Sequence, residues 1–237
     1  MSLLEEFERT GNWLFRYRSV LPLVFFLITT ALLFVSAEEL TLSQELFCFG
    51  ISNLGLCIRI FTIGYVPAGT SGRNTALQIA KTLNTKGIYS IIRHPLYLGN
   101  FFMWLGLACM TGNLWFVSFF ILLFWLYYER IMFAEEAFLQ RTFDEIFLNW
   151  AKNTPAIIPR FSLWKKPDLP FSFRHVLRRE YPGFFALILS FVYFHALREK
   201  TIDIAPFWKK TLVVGIVAYI VFRTLKKKTK FLHVEGR

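Results

Sequence analysis

Apolar residues fall into runs of near-bilayer length, separated by short charged segments. A helix that crosses a membrane needs roughly 20 predominantly apolar residues. On that rule the chain predicts six spans, at about residues 19–37, 44–64, 95–110, 113–133, 182–197 and 210–225, the fifth being short. The runs leave no stretch for a separate soluble domain. The expectation is therefore a single all-α, polytopic membrane domain over 1–237. The first run is longer than the apolar core of a secretory leader and follows Glu5, Glu6 and Glu8, so it is read as a retained span.

Composition agrees with the pattern. The 237 residues are 55% hydrophobic and include 28 Phe, which puts the chain outside the range of water-soluble domains. The net charge of +11 fits cytoplasmic loops and anionic headgroups. Basic residues alternate with spans instead of forming one face, which argues against nucleic acid. Cys48, Cys57 and Cys109 lie in apolar runs at no metal or redox spacing.

Loop charge sets the orientation. The segment after the first run carries Glu38, Glu39 and Glu45 without Lys or Arg, and the turn at Thr111–Asn113 is uncharged, so both are expected to face away from the cytoplasm. Arg73, Lys81, Lys86 and Arg93, the nine basic residues from Arg130 to Arg179, and Lys226–Lys228 mark the cytoplasmic side. Arg198, Lys200, Lys209 and Lys210 break the rule, as either a weakly biased outer loop or a misassigned last pair of spans.

Two polar stretches, 65–94 and 134–181, are too long for simple connectors. The hairpin of spans three and four joins the end of the first to the start of the second. It thereby returns the chain to its starting level and brings Arg93 and His94 beside Glu135 and Glu136. Pro95 suits the first turn of a helix, which leaves Arg93 and His94 at its mouth, where free N–H groups favour an anion. His94 and Tyr97 share a face at spacing three, as do Leu96 and Asn100 at spacing four. Taken alone, this segment is equally an interfacial anchor, and the Glu pair equally a solvated helix start. Phe171–Glu180, with Arg174, Arg178 and Arg179, reads as either an interfacial amphipathic helix or a basic loop.

Together the two stretches form one pattern: Gly87, Tyr89, Arg93, His94, Pro95, Tyr97 and Gly99, a hydrophobic hairpin, then Glu135, Glu136, Leu139, Phe143 and a closing Pro159. Over roughly 74–161 it resembles the isoprenylcysteine carboxyl methyltransferase and phospholipid methyltransferase superfamily. The resemblance implies S-adenosylmethionine as cofactor, contacted by Asn74, Leu83, Asn84, Tyr89, His94, Leu96, Tyr97, Gly99 and Glu135. It further implies Arg93, Arg130 and Glu136 at the reaction centre, and Arg73, Arg130 and Asn100 toward the acceptor. The loop from Thr70 to Thr75 and the long run after Arg93 look like the bacterial subgroup that methylates the 1-phosphate of lipid A. The expected setting is a bacterial inner membrane with the site facing the cytoplasm.

Methyl transfer from a sulfonium needs an in-line nucleophile and exclusion of water, without a covalent enzyme intermediate. An anionic oxygen needs no strong base, consistent with the lack of a Ser-His-Asp pattern or a metal cluster. Other acceptors compatible with the resemblance are a prenylcysteine carboxylate or an amine phospholipid. A small transporter is the non-enzyme alternative, with Arg59 as the one clear charge deep in a span.

Overall fold

The computed structural model describes residues 2–35, 38–67, 70, 80–201 and 203–237. Its elements are α1 (Leu3–Arg16), α2 (Val20–Val35), α3 (Leu42–Tyr65), α4 (Pro95–Cys109), α5 (Leu114–Asn153), α6 (Phe173–Glu199) and α7 (Pro206–Lys228), with 3-10 turns at Ile88–Ser90 and Phe161–Leu163. Among the described residues there is no strand, and one isolated bridge joins Gly87 to Lys165.

Each expected span coincides with a helix, but lengths differ. Helix α5 runs 40 residues, far beyond the apolar run at 113–133, with non-helical backbone only at Asp144. Helix α1 was not foreseen. Ser2 accepts from Glu5 N while the Glu5 side chain reaches back, a capping box that starts the helix. It stops before α2 because Pro22 has no N–H for the carbonyl of Arg18, and its ring would crowd that carbonyl. By length and composition α3, α5 and α6 can cross a bilayer, whereas the apolar helices Pro22–Val35 and Pro95–Cys109 are shorter. Leu23, Leu27, Trp115, Phe119, Leu122 and Val217 point outward and stay exposed, as expected of an integral membrane protein whose outer face meets lipid.

Small residues bring α3 and α4 together. A methyl at Gly55 would strike the Gly99 carbonyl and Met103, and one at Gly106 would strike Ser52 and the Cys48 carbonyl. With no hydrophobic drive between helices in lipid, such close backbone approach supplies the packing. Two apolar clusters flank this pair: Leu33, Met110, Phe191, Phe194 and Trp208 on the α6–α7 side, and Phe15, Phe120, Phe124, Tyr128 and Ile131 on the α1–α5 side.

The ends of the bundle are tied differently. At one end Glu45, 1% exposed, binds His195 Nδ1 at 2.9 Å, the Arg198 guanidinium and Trp208 Nε1 at 2.6 Å. Arg198 also donates to the Met110 carbonyl. The segment whose charge broke the loop pattern thus lies at the Glu45 end, with Arg198 folded onto Glu45 and Lys209 paired with Asp203. At the other end, the stretches 87–94 and 150–165 run together.

Candidate active site

The approach to α4 is held from outside the helix. Gly87 (φ 61°, ψ −135°) occupies a region open essentially to glycine alone, and its N–H donates to Lys165 O at 2.9 Å. Ser90 Oγ donates to Gly87 O and accepts from Lys165 N. Trp150 Nε1 donates to Tyr89 O, Arg160 N to Ile91 O, Arg93 N to Pro155 O and His94 N to Ala156 O. Apart from the internal Ser90–Gly87 bond, these struts come from the last turn of α5 or from the chain beyond it, so the segment's own sequence does not show how it is braced. His94 is the residue preceding the helix and Pro95 its first residue.

Across the hairpin, His94 Nε2 lies 2.8 Å from Glu136 Oε1 and its Nδ1 3.6 Å from Glu135 Oε2. Arg93 Nε lies 2.9 Å from the same Glu136 oxygen. Its Nη1 donates to the carbonyls of Ala151 (2.7 Å) and Thr154 (3.1 Å) at the end of α5. These groups sit beyond the apolar run of α5. Burial alone would push the His94 imidazole down, but the Glu135 and Glu136 carboxylates beside it outweigh that and raise it above its ordinary value. Burial likewise works against ionisation of Glu136, yet the bond to His94 and the charges of His94 and Arg93 hold its carboxyl below the usual range. Both shifts favour the charged pair, imidazolium against carboxylate. Burial, with the Glu135 charge nearby, pushes the Tyr89 phenol up, so it stays a donor.

These groups line a cavity of about 640 Å³, within the size range of cofactor sites. It gathers Leu83, Asn84, Tyr89, Arg93, His94, Leu96, Tyr97, Asn100, Glu135 and Glu136. Gly99 does not line it: a methyl there would meet Arg59 Cγ and the Gly55 carbonyl, so its smallness serves the α3–α4 contact. Arg130 does not line it either; its guanidinium stacks 3.3 Å from the Phe7 ring centroid. Five positions along a helix turn it by about 140° net, which sets Arg130 on a different face from Glu135. Arg73 and Asn74 lie outside the described residues.

Sequence reasoning missed Arg18, Tyr128, Trp150 and Glu180 as cavity residues and gave Arg59 and Arg179 no place there. Arg59 binds Glu180 through Nε and Nη2, both at 2.8 Å, and donates from Nη1 to Asn100 Oδ1 at 2.6 Å. The signal was available in part: a charge deep in an apolar run marks a site. Its partner lies 121 positions away, which no local pattern reveals.

The donor set suits S-adenosylmethionine. Glu135, in only long contact with His94, offers an acceptor for an amino group, and at the start of α4 Leu96 N–H is left for a carboxylate, since Pro95 has none and those of Tyr97 and Leu98 donate to His94 O. The apolar and aromatic walls formed by Leu83, Tyr89, Leu96 and Trp150 suit an adenosyl group.

Residues 64–146 match the family described as phospholipid methyltransferase. Over 84 residues the chain is 43% identical to the cobalt-zinc-cadmium resistance protein CzcN of Cupriavidus metallidurans, covering 35% of this chain and 38% of that one. Over 78 residues it is 37% identical to the protein-S-isoprenylcysteine O-methyltransferase of Schizosaccharomyces pombe, covering 32% and 33%. The Tribolium castaneum protein of the same name is 27% identical over 118 residues, 46% of this chain and 42% of that one. The chain thus spans about two fifths or less of the length of these relatives. No solved structure matches. The matched segment carries the His94 cluster and the hairpin that assembles it, and it is over this segment that the chain is similar to the phospholipid and isoprenylcysteine methyltransferases.

Proposed function

We propose that this protein is an S-adenosylmethionine-dependent O-methyltransferase acting on an anionic amphiphile, for which the 1-phosphate of lipid A is the favoured acceptor. The observation that carries this reading is the contact of His94 with Glu135 and Glu136 across the hairpin, at the wall of a cavity large enough for cofactor and headgroup. The six helices α2 to α7 are read as spans, the shorter ones completed at their polar ends, with the cavity on the cytoplasmic side of a bacterial inner membrane.

The bound cofactor would supply an electrophilic methyl group on a sulfonium. Within the chain, Glu135 and the α4 start would hold the cofactor's amino and carboxylate groups, while Tyr89, Leu96 and Tyr97 form its walls. Arg93 and Glu136 are assigned to the reaction centre through His94: they fix the charged imidazole and so the mouth of α4. The apolar surroundings exclude water, and an ionised acceptor oxygen needs positioning more than deprotonation.

Calorimetry of detergent-purified protein with S-adenosylmethionine tests the cofactor assignment; folded protein that binds none refutes it. Mass spectrometry of lipids from cells with and without the gene tests the acceptor, by a shift of about 14 Da, one methyl for one hydrogen, on lipid A. The two isoprenylcysteine methyltransferase relatives favour a prenylcysteine carboxylate as the second reading. A shift on a protein C-terminus, with lipid A unchanged, would select it; a shift on an aminolipid would remove both.

A further inference from the structure

A charge deep in an apolar helix is costly unless it is paired, and one that is kept there marks a site. Arg59 lies six residues before α3 ends at Tyr65, roughly 9 Å below that end. Glu180 lies seven residues into α6, and Asn100 six residues beyond His94 on α4, so both stand at a similar depth of roughly 9 to 10 Å. The ends of α3 and α6 share one level, because Ser172 N at the cap of α6 donates to Gly64 O. Three helices therefore meet on one guanidinium. Nε and Nη2 each donate to a Glu180 oxygen at 2.8 Å, and Nη1 donates to Asn100 Oδ1 at 2.6 Å.

A simple tie between helices would bury both partners alike. Here the Glu180 side chain is 6% exposed with both oxygens engaged, whereas that of Arg59 is 21% exposed, and Arg59 lines the same cavity as Glu135 and Glu136. Three of its five N–H donors are engaged, so among the described residues Nη1 and Nη2 each keep one. The group is planar, and fixing three donors fixes the direction of the other two. The Arg59 charge also reaches the cofactor side, where it opposes the rise that burial imposes on the Tyr89 phenol.

Position supports the same role. A lipid acceptor arrives from the bilayer, so its reacting oxygen has to be met on the membrane side of His94, and Asn100 and Arg59 occupy that side. The arginines expected at the reaction centre are engaged elsewhere: Arg130 stacks on Phe7, while Arg93 holds Glu136 and the carbonyls of Ala151 and Thr154. Building on the methyltransferase reading, we infer that Arg59 binds and orients the ionised oxygen of the acceptor, a lipid-borne phosphate or carboxylate, through its two remaining donors, with Glu180 and Asn100 as positioning residues. Because Glu180 offsets its charge, Arg59 offers directed hydrogen bonds more than net attraction. The acceptor oxygen then keeps the electron density it needs: its lone pair forms the new O–CH3 bond as the C–S bond breaks, the bonding pair passes to sulfur, and no proton moves.

The test uses the full chain in detergent micelles with either lipid A bearing a 1-phosphate or an N-acetylated farnesylcysteine, the two sources of such an oxygen. Variants are compared on the one that the parent protein methylates. Acceptor affinity is measured without cofactor, turnover with it, and S-adenosylmethionine affinity by calorimetry in parallel. Arg59→Lys keeps the charge but loses the planar fork, and Glu180→Gln releases that fork. Each should weaken acceptor affinity and raise its KM about tenfold, the margin of one charge-assisted hydrogen bond, with cofactor affinity unchanged. Changing Arg59→Met together with Glu180→Met removes both members of the buried pair at similar volume and leaves no unpaired charge, so this protein should fold. It should bind the cofactor like the parent protein and lose turnover at least about a hundredfold, the margin of two such bonds. If Glu180→Gln or the double variant fails to fold, Arg59→Lys decides the matter. A double variant that methylates like the parent protein, or Arg59→Lys with parental acceptor affinity, makes the pair a helix tie and overturns the inference. A parent protein that methylates neither acceptor instead overturns the reading on which the inference rests.

Discussion

Replacing Glu136 by Gln isolates the electrostatic cluster at the mouth of α4. The change keeps shape and one acceptor oxygen but removes the charge that faces both His94 Nε2 (2.8 Å) and Arg93 Nε (2.9 Å). A hydrogen bond to a charged group contributes about 1.5–3 kcal/mol. The Glu136 side chain is 25% exposed, so screening favours the lower part of that range. Arg93 keeps its two carbonyl partners and His94 keeps Glu135. The expected loss is about 2 kcal/mol of stability, roughly a thirtyfold change in the unfolding equilibrium.

The pH dependence provides the discriminating signature. Glu136 is held below 4.5, so its contribution is present above 4.5 and is lost as pH falls through the folded value. His94 is raised above 6.5, so its contribution is complete below 6.5 and is lost as pH rises through the folded value. Both are fully present between 4.5 and 6.5. Thermal unfolding in detergent, followed by circular dichroism across pH 4–9, should therefore show the largest deficit of Glu136→Gln inside that window. The deficit should shrink above it, and the variant should lose its acid limb. A variant that keeps the parent's pH profile, or is weakened equally at every pH, would refute the charged-cluster account.

Further outcomes follow from other contacts. Glu45→Gln leaves the buried Arg198 guanidinium without its carboxylate and should cost about 3–5 kcal/mol, while any folded protein keeps its affinity for S-adenosylmethionine, because this cluster lies at the opposite end of the bundle. Gly87→Ala forces a Cβ into backbone at φ 61°, ψ −135° and should cost about 1–3 kcal/mol; a neutral result in thermal unfolding would contradict the strain argument. Gly55→Leu separates α3 from α4, with a loss of about 1–3 kcal/mol or more, and displaces Met103 in the cavity wall, so both melting temperature and cofactor affinity should fall.

Much of the architecture was legible in the chain. Apolar runs marked α2 to α7, Pro95 marked the start of α4, and the α4–α5 hairpin brought His94 to Glu135 and Glu136. Helix α1 escaped notice because it is short and amphipathic, not an apolar run of bilayer length; one face packs on α5, where Glu8 pairs with Arg141 and the Tyr127 hydroxyl donates to Leu14 O, and the rest stays exposed. The resemblance implies Arg130 at the reaction centre, but helical rotation sets its guanidinium on Phe7. Gly99 belongs to the same lesson, since a residue within a motif can serve helix contact instead of the cavity.

The sequence by itself determined which segments are helical and where the chain reverses, since both depend on local properties: hydrophobic length, proline and glycine geometry, and caps. It also placed the two halves of the motif at the same level of the bundle. Only the tertiary structure decided which charges share the cavity: Arg59 with Glu180, 121 positions apart, and Arg18 and Arg179 beside them. The reason lies in helix rotation. A helix such as α4, apolar on every side, carries no amphipathic pattern to say which face turns inward. That rotation is set by the close contacts of Gly55, Gly99 and Gly106, and by pairs of buried charges that stabilise one arrangement of the bundle over its rotated alternatives.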